Sequence, residues 1–399
     1  MLRVTGQTTE CPGYGCLLSF TVTLKRLWQS GGIQDTVCIN SISDTRMKTR
    51  ATPLNPHNRF QTIVSDRQCD DGWYQDPADQ VCPDSVATEV TDERVKTIIS
   101  RNQSPDVPFD QSINPYRGCE HACVYCFARP THAYWDMSPG LDFETRLIAK
   151  PNAAQKLREE LDKPGYQPKP IALGVNTDAY QPVEKQRRIT REILEVLAEY
   201  RHPVSIITKG ALILRDLDLL KDLAQQGLCS VRVSLTTLDN TLKGQMEPRT
   251  AAPATRLKII RELSSAGVPT GIILGPVIPF INDHELERIL EAATEAGATR
   301  ASWIMLRLPL ELDELFNDWL KRHYPDRADR VMSRIRDLRG GKSYDAAFGR
   351  RMTGTGPYSD LIRQRFTRRA KQLGLGLHEA EPLRTDQFRR PGGEQISLF

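Results

Sequence analysis

Cys119-Glu-His-Ala-Cys123-Val-Tyr-Cys126 places three thiols within eight residues, and the reading of this stretch decides the fold. It follows Ile113-Asn-Pro-Tyr-Arg-Gly118, which predicts a short strand running into a turn. Three closely spaced thiolates suit a soft metal or an iron–sulfur cluster. A structural zinc site wants four ligands and usually shows a second Cys or His pair downstream. An incomplete donor set leaves one coordination position free for a small molecule. The competing reading is three buried structural cysteines, since free Cys is among the most buried residue types. The flanking Glu120, His121 and Arg129 make a poor core segment and favour ligands.

The spacing C-x3-C-x2-C, with Tyr125 just before the last cysteine, resembles the radical SAM superfamily. The resemblance implies that Cys119, Cys123 and Cys126 hold a [4Fe-4S] cluster. It further implies that S-adenosylmethionine chelates the remaining iron and is cleaved reductively to a 5′-deoxyadenosyl radical. A reductant such as flavodoxin or ferredoxin would supply the electron. The chemistry then belongs to the cofactor, and the protein supplies binding, orientation and exclusion of water.

Outward from the cysteines, strand and helix alternate. Strands are predicted at Ile171–Val175, Val204–Thr208, Ser230–Thr237, Val268–Ile278 and Ala301–Leu308. Helices are predicted over 152–161, 182–200, 217–225, 255–265 and 283–296. Strict alternation implies a parallel sheet with right-handed crossovers. About six such units without a Gly-x-Gly-x-x-Gly fingerprint suit an open barrel, with chemistry at the C-terminal ends of the strands. The fold class expected is α/β: a partial (β/α)6 TIM-like barrel over 111–310. Residues 1–110 read as an irregular, loop-rich extension. Residues 311–380 read as a basic helical extension, and 381–399 as a flexible tail. Met47 is a plausible alternative start, and Cys69 and Cys82 read as structural or incidental.

Further matches in order and spacing resemble the spore-photoproduct-lyase-like branch of that superfamily, often labelled DNA repair photolyase. Asn176-Thr-Asp178 follows the second strand and Thr208-Lys209 the third. Ser234 lies in the fourth, Met246-Glu-Pro248 comes soon after, and Pro276-Val-Ile-Pro279 ends the fifth. The resemblance implies cofactor contacts from Tyr125, Asn176, Asp178, Lys209, Ser234 and Ile278. The residue types fit: Asp178 is an acceptor for an ammonium or ribose hydroxyls, Lys209 a cation for a carboxylate, and Ser234 a neutral hydrogen-bonding group. Two departures stand out. The lyase's cysteine near the position of Val175 has no counterpart, and Phe127 stands where that enzyme has a tyrosine after its last cluster cysteine. The lyase's hydrogen-return route is therefore missing, and the catalytic residues toward substrate stay unassigned.

The chain has 399 residues, 39% hydrophobic and 26% charged, ordinary for a globular protein. No apolar run approaches a membrane span, and Leu17–Val22 is short with no strongly basic segment before it. A cytoplasmic protein without a membrane partner is expected, its nine cysteines serving as thiols rather than disulfides. Residues 321–399 carry 18 Lys and Arg against 9 Asp and Glu, which points to an anionic partner, most simply DNA. The terminal Gln395-Ile-Ser-Leu398-Phe399 resembles the peptide by which bacterial repair and replication proteins bind the sliding clamp. Gln395, Leu398 and Phe399 would make that contact. The resulting expectation is a radical SAM enzyme acting on nucleic acid, with a lyase on damaged DNA as the specific activity that the resemblance implies. The alternatives are the same chemistry on a peptide or small molecule, or a non-catalytic metal-cluster scaffold recruited to the clamp.

Overall fold

The computed structural model describes residues 50–60, 86–377 and 383–391. All of them belong to one compact unit, Met47–Phe399. Met47 itself, Cys69, Cys82, Gln395, Leu398 and Phe399 lie outside the described residues.

Among the described residues ten strands occur in chain order: β1 (Glu89–Asp92), β2 (Ser100–Arg101), β3 (Gln111–Ile113), β4 (Tyr116–Arg117), β5 (Arg146–Ala149), β6 (Ile171–Leu173), β7 (Val204–Thr208), β8 (Cys229–Ser234), β9 (Thr270–Val277) and β10 (Arg300–Met305). The main sheet runs β10-β9-β8-β7-β6-β3-β2. Strands β3 and β6 to β10 are parallel, and β2 pairs antiparallel to β3 at the edge. Neighbours in space are thus successive strands of the expected six-unit barrel, and β3 is not bonded to β10, which leaves the barrel open.

Strands covered on both faces read as near-continuous β-branched runs, as Val204-Ser-Ile-Ile-Thr does. Period-two alternation then sorts their side chains. Val204 and Ile206 of β7 and Val231 and Val233 of β8 are buried in the main core with the helices. Ile207, Ser234, Ile273 and Ile304 point to the barrel interior and line a cavity there. A second apolar cluster joins Cys123, Tyr125 and Ile278 to Phe316, Trp319 and Ile335 of the helices Leu312–His323 and Pro325–Leu338.

Four features depart from the sequence expectations. Residues before 110 are not merely loop: β1 joins β5 and β4 in a second sheet, and residues 50–60 run beside the cysteine loop. There the Ala51 amide donates to Glu144 at 3.2 Å and the Leu141 amide to the Leu54 carbonyl at 2.9 Å. The helix expected over 182–200 is two pieces, Glu184–Arg187 and Ile189–Glu199, broken at Arg188 with φ 54°. The break turns the buried Glu184 carboxylate onto the Thr190 amide at 3.1 Å, inside the first turn of the second piece.

Residues 383–391, expected to belong to a flexible tail, are docked on the barrel. The Arg384 amide donates to the Gly227 carbonyl at 3.0 Å, and Phe388 packs against Tyr166, Tyr200 and His202. Finally, much of the basic charge of the last third is spent within the protein. Arg365 and Arg369 pair with Glu287 and Glu291, Arg351 pairs with Asp106, and Arg339 donates to three backbone carbonyls. Net charge alone therefore argues little for an anionic partner.

Candidate functional site

The cysteine loop hangs from β4. Gly118 reverses the chain with φ +72°, and a Cβ there would sit 2.7 Å from Leu147 Cδ2. Short turns follow: the Cys119 amide donates to the Phe143 carbonyl at 2.9 Å, Ala122 to Cys119 at 3.3 Å, and Cys126 to Cys123 at 3.2 Å. All three cysteines are free thiols; Cys119 and Cys123 are buried and Cys126 is half-buried.

Glu120, His121 and Arg129, read from the sequence as a poor core segment, are buried too. Each has a partner that makes burial tolerable. Glu120 meets Arg249 at 2.9 Å and Thr88 at 2.7 Å. His121 Nδ1 lies 3.2 Å from Asp178 Oδ2. Arg129 pairs with Glu144 while donating to the carbonyls of Cys123, Pro139 and Gly140.

The strand ends bring the other residues to the same place. A cavity of about 700 Å³ is lined by the three cysteines, Tyr125, Asn176, Asp178, Lys209 and Ser234. A separate cavity of about 240 Å³ near Arg300 and the 105–108 loop contains none of them. Ile278 is not brought to the site: it is fully buried in the second apolar cluster, and Gly275 and Pro276 line the cavity instead.

Asp178 lines the cavity, but its oxygens are occupied. Oδ1 accepts from the Thr208 hydroxyl at 2.7 Å and the Tyr180 amide at 2.9 Å, and Oδ2 accepts from the Lys209 amide at 2.7 Å. Burial works to push this carboxyl up, but His121 and these donors outweigh it and hold it at about 2. Its geometry is that of a residue positioning Lys209 and His121, not of a free acceptor. The Lys209 ammonium enters no ion pair among the described residues and stands 6.0 Å from the Tyr125 ring centre. Ser234 Oγ lies 3.4 Å from the Gly275 carbonyl, and the Asn176 amide donates to Asn114 at 2.9 Å.

Beneath the cavity is a buried network that single residues in the sequence do not announce. Glu247, the acid of Met246-Glu-Pro248, accepts from the Tyr125 hydroxyl and pairs with Arg256; Thr236 donates to it at 2.8 Å. Arg256 also reaches the Ser234 carbonyl at 3.0 Å. One carboxylate thus ties Tyr125, beside the last cysteine, to the strand that carries Ser234.

Among the described residues no three His, Cys, Asp or Glu side chains converge on a point that could hold a single metal ion. In a cubane each cysteine binds a different iron, so its ligands stand farther apart than those of a mononuclear site.

A family model for the radical SAM superfamily matches residues 113–293. An uncharacterized protein of Mycobacterium tuberculosis is 41% identical over 234 residues, which is 58% of this chain and 68% of that one. The chain belongs to the radical SAM superfamily. An uncharacterized protein of Methanocaldococcus jannaschii is 28% identical over 216 residues, 54% of this chain and 76% of the other. Among solved structures, spore photoproduct lyase complexed with dinucleoside spore photoproduct superposes with a TM-score of 0.53 at 14% identity, covering 72% of this chain and 80% of that one. That likeness is one of fold.

The cofactors of a radical SAM protein are a [4Fe-4S] cluster and S-adenosylmethionine, and the residues present fit them. Burial, then the Asp178 charge and the other two thiols, pushes the Cys119 thiol up; burial pushes up Cys123 as well. Such thiols lose their protons when a bound metal supplies the compensating charge. The cavity beside them is large enough for a ligand of nucleoside size. No helix of the described residues is long and apolar enough to cross a membrane.

Proposed function

We propose that this radical SAM protein acts on nucleic acid. Cys119, Cys123 and Cys126 hold the cluster, and Tyr125, Asn176, Lys209 and Ser234 contact S-adenosylmethionine. The observation that carries the site assignment is the convergence of the three thiols and these four residues on one cavity at the C-terminal strand ends. When bound, the cluster supplies the electron that cleaves S-adenosylmethionine to methionine and a 5′-deoxyadenosyl radical.

The residues of the chain have other tasks. Lys209 offers its ammonium to the cofactor's carboxylate. Asp178 fixes the Lys209 backbone and the His121 ring. Glu247 and Arg256 hold Tyr125 against the cavity wall. The apolar walls, Ile207, Ile273 and Ile304 among them, exclude water from the radical.

Support for a nucleic-acid substrate comes from the likeness to a lyase solved with a dinucleoside photoproduct and from the matching motifs at successive strand ends. The terminal Gln395, Leu398 and Phe399 support recruitment by a sliding clamp through their sequence pattern. A flavodoxin- or ferredoxin-type reductant completes the system, in the cytoplasm.

The test is anaerobic reconstitution with iron and sulfide, reduction, and assay for 5′-deoxyadenosine with and without irradiated DNA. The reading expects cleavage that Cys126→Ala abolishes and that DNA accelerates. Cluster formation without cleavage would sink it. Co-purification of a sliding clamp with the full chain, lost in a Leu398→Ala, Phe399→Ala variant, tests the recruitment.

A further inference from the structure

The mouth of the cavity differs in character from its floor. Large hydrophobic side chains are rarely left in the open together on a monomer, yet Phe60, Phe127 and Tyr134 are 52%, 44% and 66% exposed at this one rim. Phe127 and Tyr134 line the cavity, and the Phe60 and Tyr134 ring centres are 5.4 Å apart.

An arginine lies over each of these faces. The Arg59 guanidinium is 4.6 Å from the Phe60 ring centre and 5.1 Å from that of Tyr134, and Arg307 is 4.6 Å from that of Phe127. Arg59 is tied to Glu311 at 3.1 Å, and Arg351, also in the wall, to Asp106. Arg307 is different. It faces the cavity, no carboxylate pairs with it among the described residues, and Phe127 is the group it covers.

An unpaired, half-buried guanidinium needs an anion to complete it. A planar cation and exposed aromatic faces at one rim form a site for a phosphate and the flat base it carries. Glu311 and Asp106 are matched by Arg59 and Arg351, and the oxygens of Asp178, the acid in the cavity wall, are taken by Thr208, Tyr180 and Lys209, which leaves Arg307 as a cation open to an anion.

We propose that this collar takes an unpaired nucleotide of a nucleic-acid strand, its base stacked on Tyr134 and Phe127 and its phosphate on Arg307. The assignment rests on the nucleic-acid reading above and sharpens it. The occupant is single-stranded or flipped out of a duplex, because a base inside a helix has no free face to offer. Phe127 follows the last cysteine directly, so a base stacked there is next to the radical's origin.

Fluorescence anisotropy of a labelled single-stranded oligonucleotide, and of the same sequence as a duplex, tests the collar on the reconstituted full chain with S-adenosylmethionine. The expected result is tighter binding of the single strand. Tyr134→Ala should weaken it roughly tenfold and Tyr134→Phe should restore it, since stacking uses the ring and not the hydroxyl. Tyr134 is exposed, so its removal leaves the core intact. Arg307→Gln should lower the slope of log affinity against log salt by about 0.7, the signature of one lost phosphate contact on a single strand. Binding that neither substitution alters would overturn the collar while leaving the nucleic-acid reading in place. A duplex bound as tightly as the single strand would also overturn it. No binding of either oligonucleotide would overturn the collar and the reading together.

Discussion

Arg129 and Glu144 form a fully buried ion pair beneath the cysteine loop, and the same guanidinium donates through Nε to the Cys123 carbonyl at 2.9 Å. The pair connects a helix that follows β4 in the chain to the backbone that presents the middle thiol. Removing one member leaves an uncompensated buried charge, which costs about 3–5 kcal/mol. Arg129→Met is therefore expected to lower the urea midpoint and the iron retained per chain together. Arg129→Lys should not restore either, because an ammonium cannot reach the carboxylate and three carbonyls at once. Urea unfolding and iron analysis check this; an unchanged midpoint in Arg129→Met would contradict the structural role.

Gly118 is the second lever on the same loop. Its φ of +72° costs a side-chain-bearing residue about 1–2 kcal/mol, and an added Cβ would also meet Leu147 Cδ2 at 2.7 Å and the Phe143 carbonyl at 3.0 Å. That carbonyl accepts the Cys119 amide. Gly118→Ala is expected to displace Cys119 and leave the chain folded but under-loaded with cluster. Circular dichroism with iron and sulfide analysis separates the two effects; full loading would show the loop accommodates the methyl.

What the sequence made legible follows from periodicity. β7 and β8 are long enough, and covered on both faces, to read as β-branched runs, and their order gave the barrel and the cavity end. The sheet of β1, β5 and β4 has strands of two to four residues, too short to show any period. The break at Arg188 depends on Glu184 being drawn onto Thr190 and Arg215, contacts made by tertiary structure. Asp178 shows the same limit at the site: its residue type announces an acceptor, and only the fold reveals that Thr208, Tyr180 and Lys209 have taken its oxygens. Phe388 is a lone aromatic among polar residues, and its docking needs Tyr166, Tyr200 and His202 from distant segments.

Tyr125 offers a way to separate stability from cofactor binding. Its hydroxyl is satisfied by Glu247 below, while its ring lines the cavity. Tyr125→Phe removes a donor from a buried carboxylate and is expected to cost about 1–3 kcal/mol with little change in S-adenosylmethionine affinity. Tyr125→Ala removes the ring as well and should lower both. Calorimetric binding and thermal unfolding of the two variants decide it; loss of cofactor affinity in Tyr125→Phe would assign the hydroxyl itself to the ligand.

The pH dependence of stability should carry the mark of His202. Its ring is buried, with Nδ1–H donating to the Pro203 carbonyl at 3.0 Å and Nε2 2.9 Å from the Tyr166 hydroxyl. Burial pulls it down to about 4, against the weaker opposing pull of that carbonyl; burial pulls His132 down to about 4 as well. The unfolded chain keeps these rings near 6.5, so between about 6.5 and 4 it binds protons that the folded chain refuses. The stabilisation is therefore whole above about pH 6.5 and is lost as pH falls toward 4. Near pH 5 each histidine contributes a slope of about 1.2 kcal/mol per pH unit. His202→Gln is expected to remove one such contribution and leave that of His132. Urea unfolding of both proteins between pH 4.5 and 7 (a range set by about these two limits) measures the difference in slope, and equal slopes would mean that His202 does not resist protonation in the folded protein.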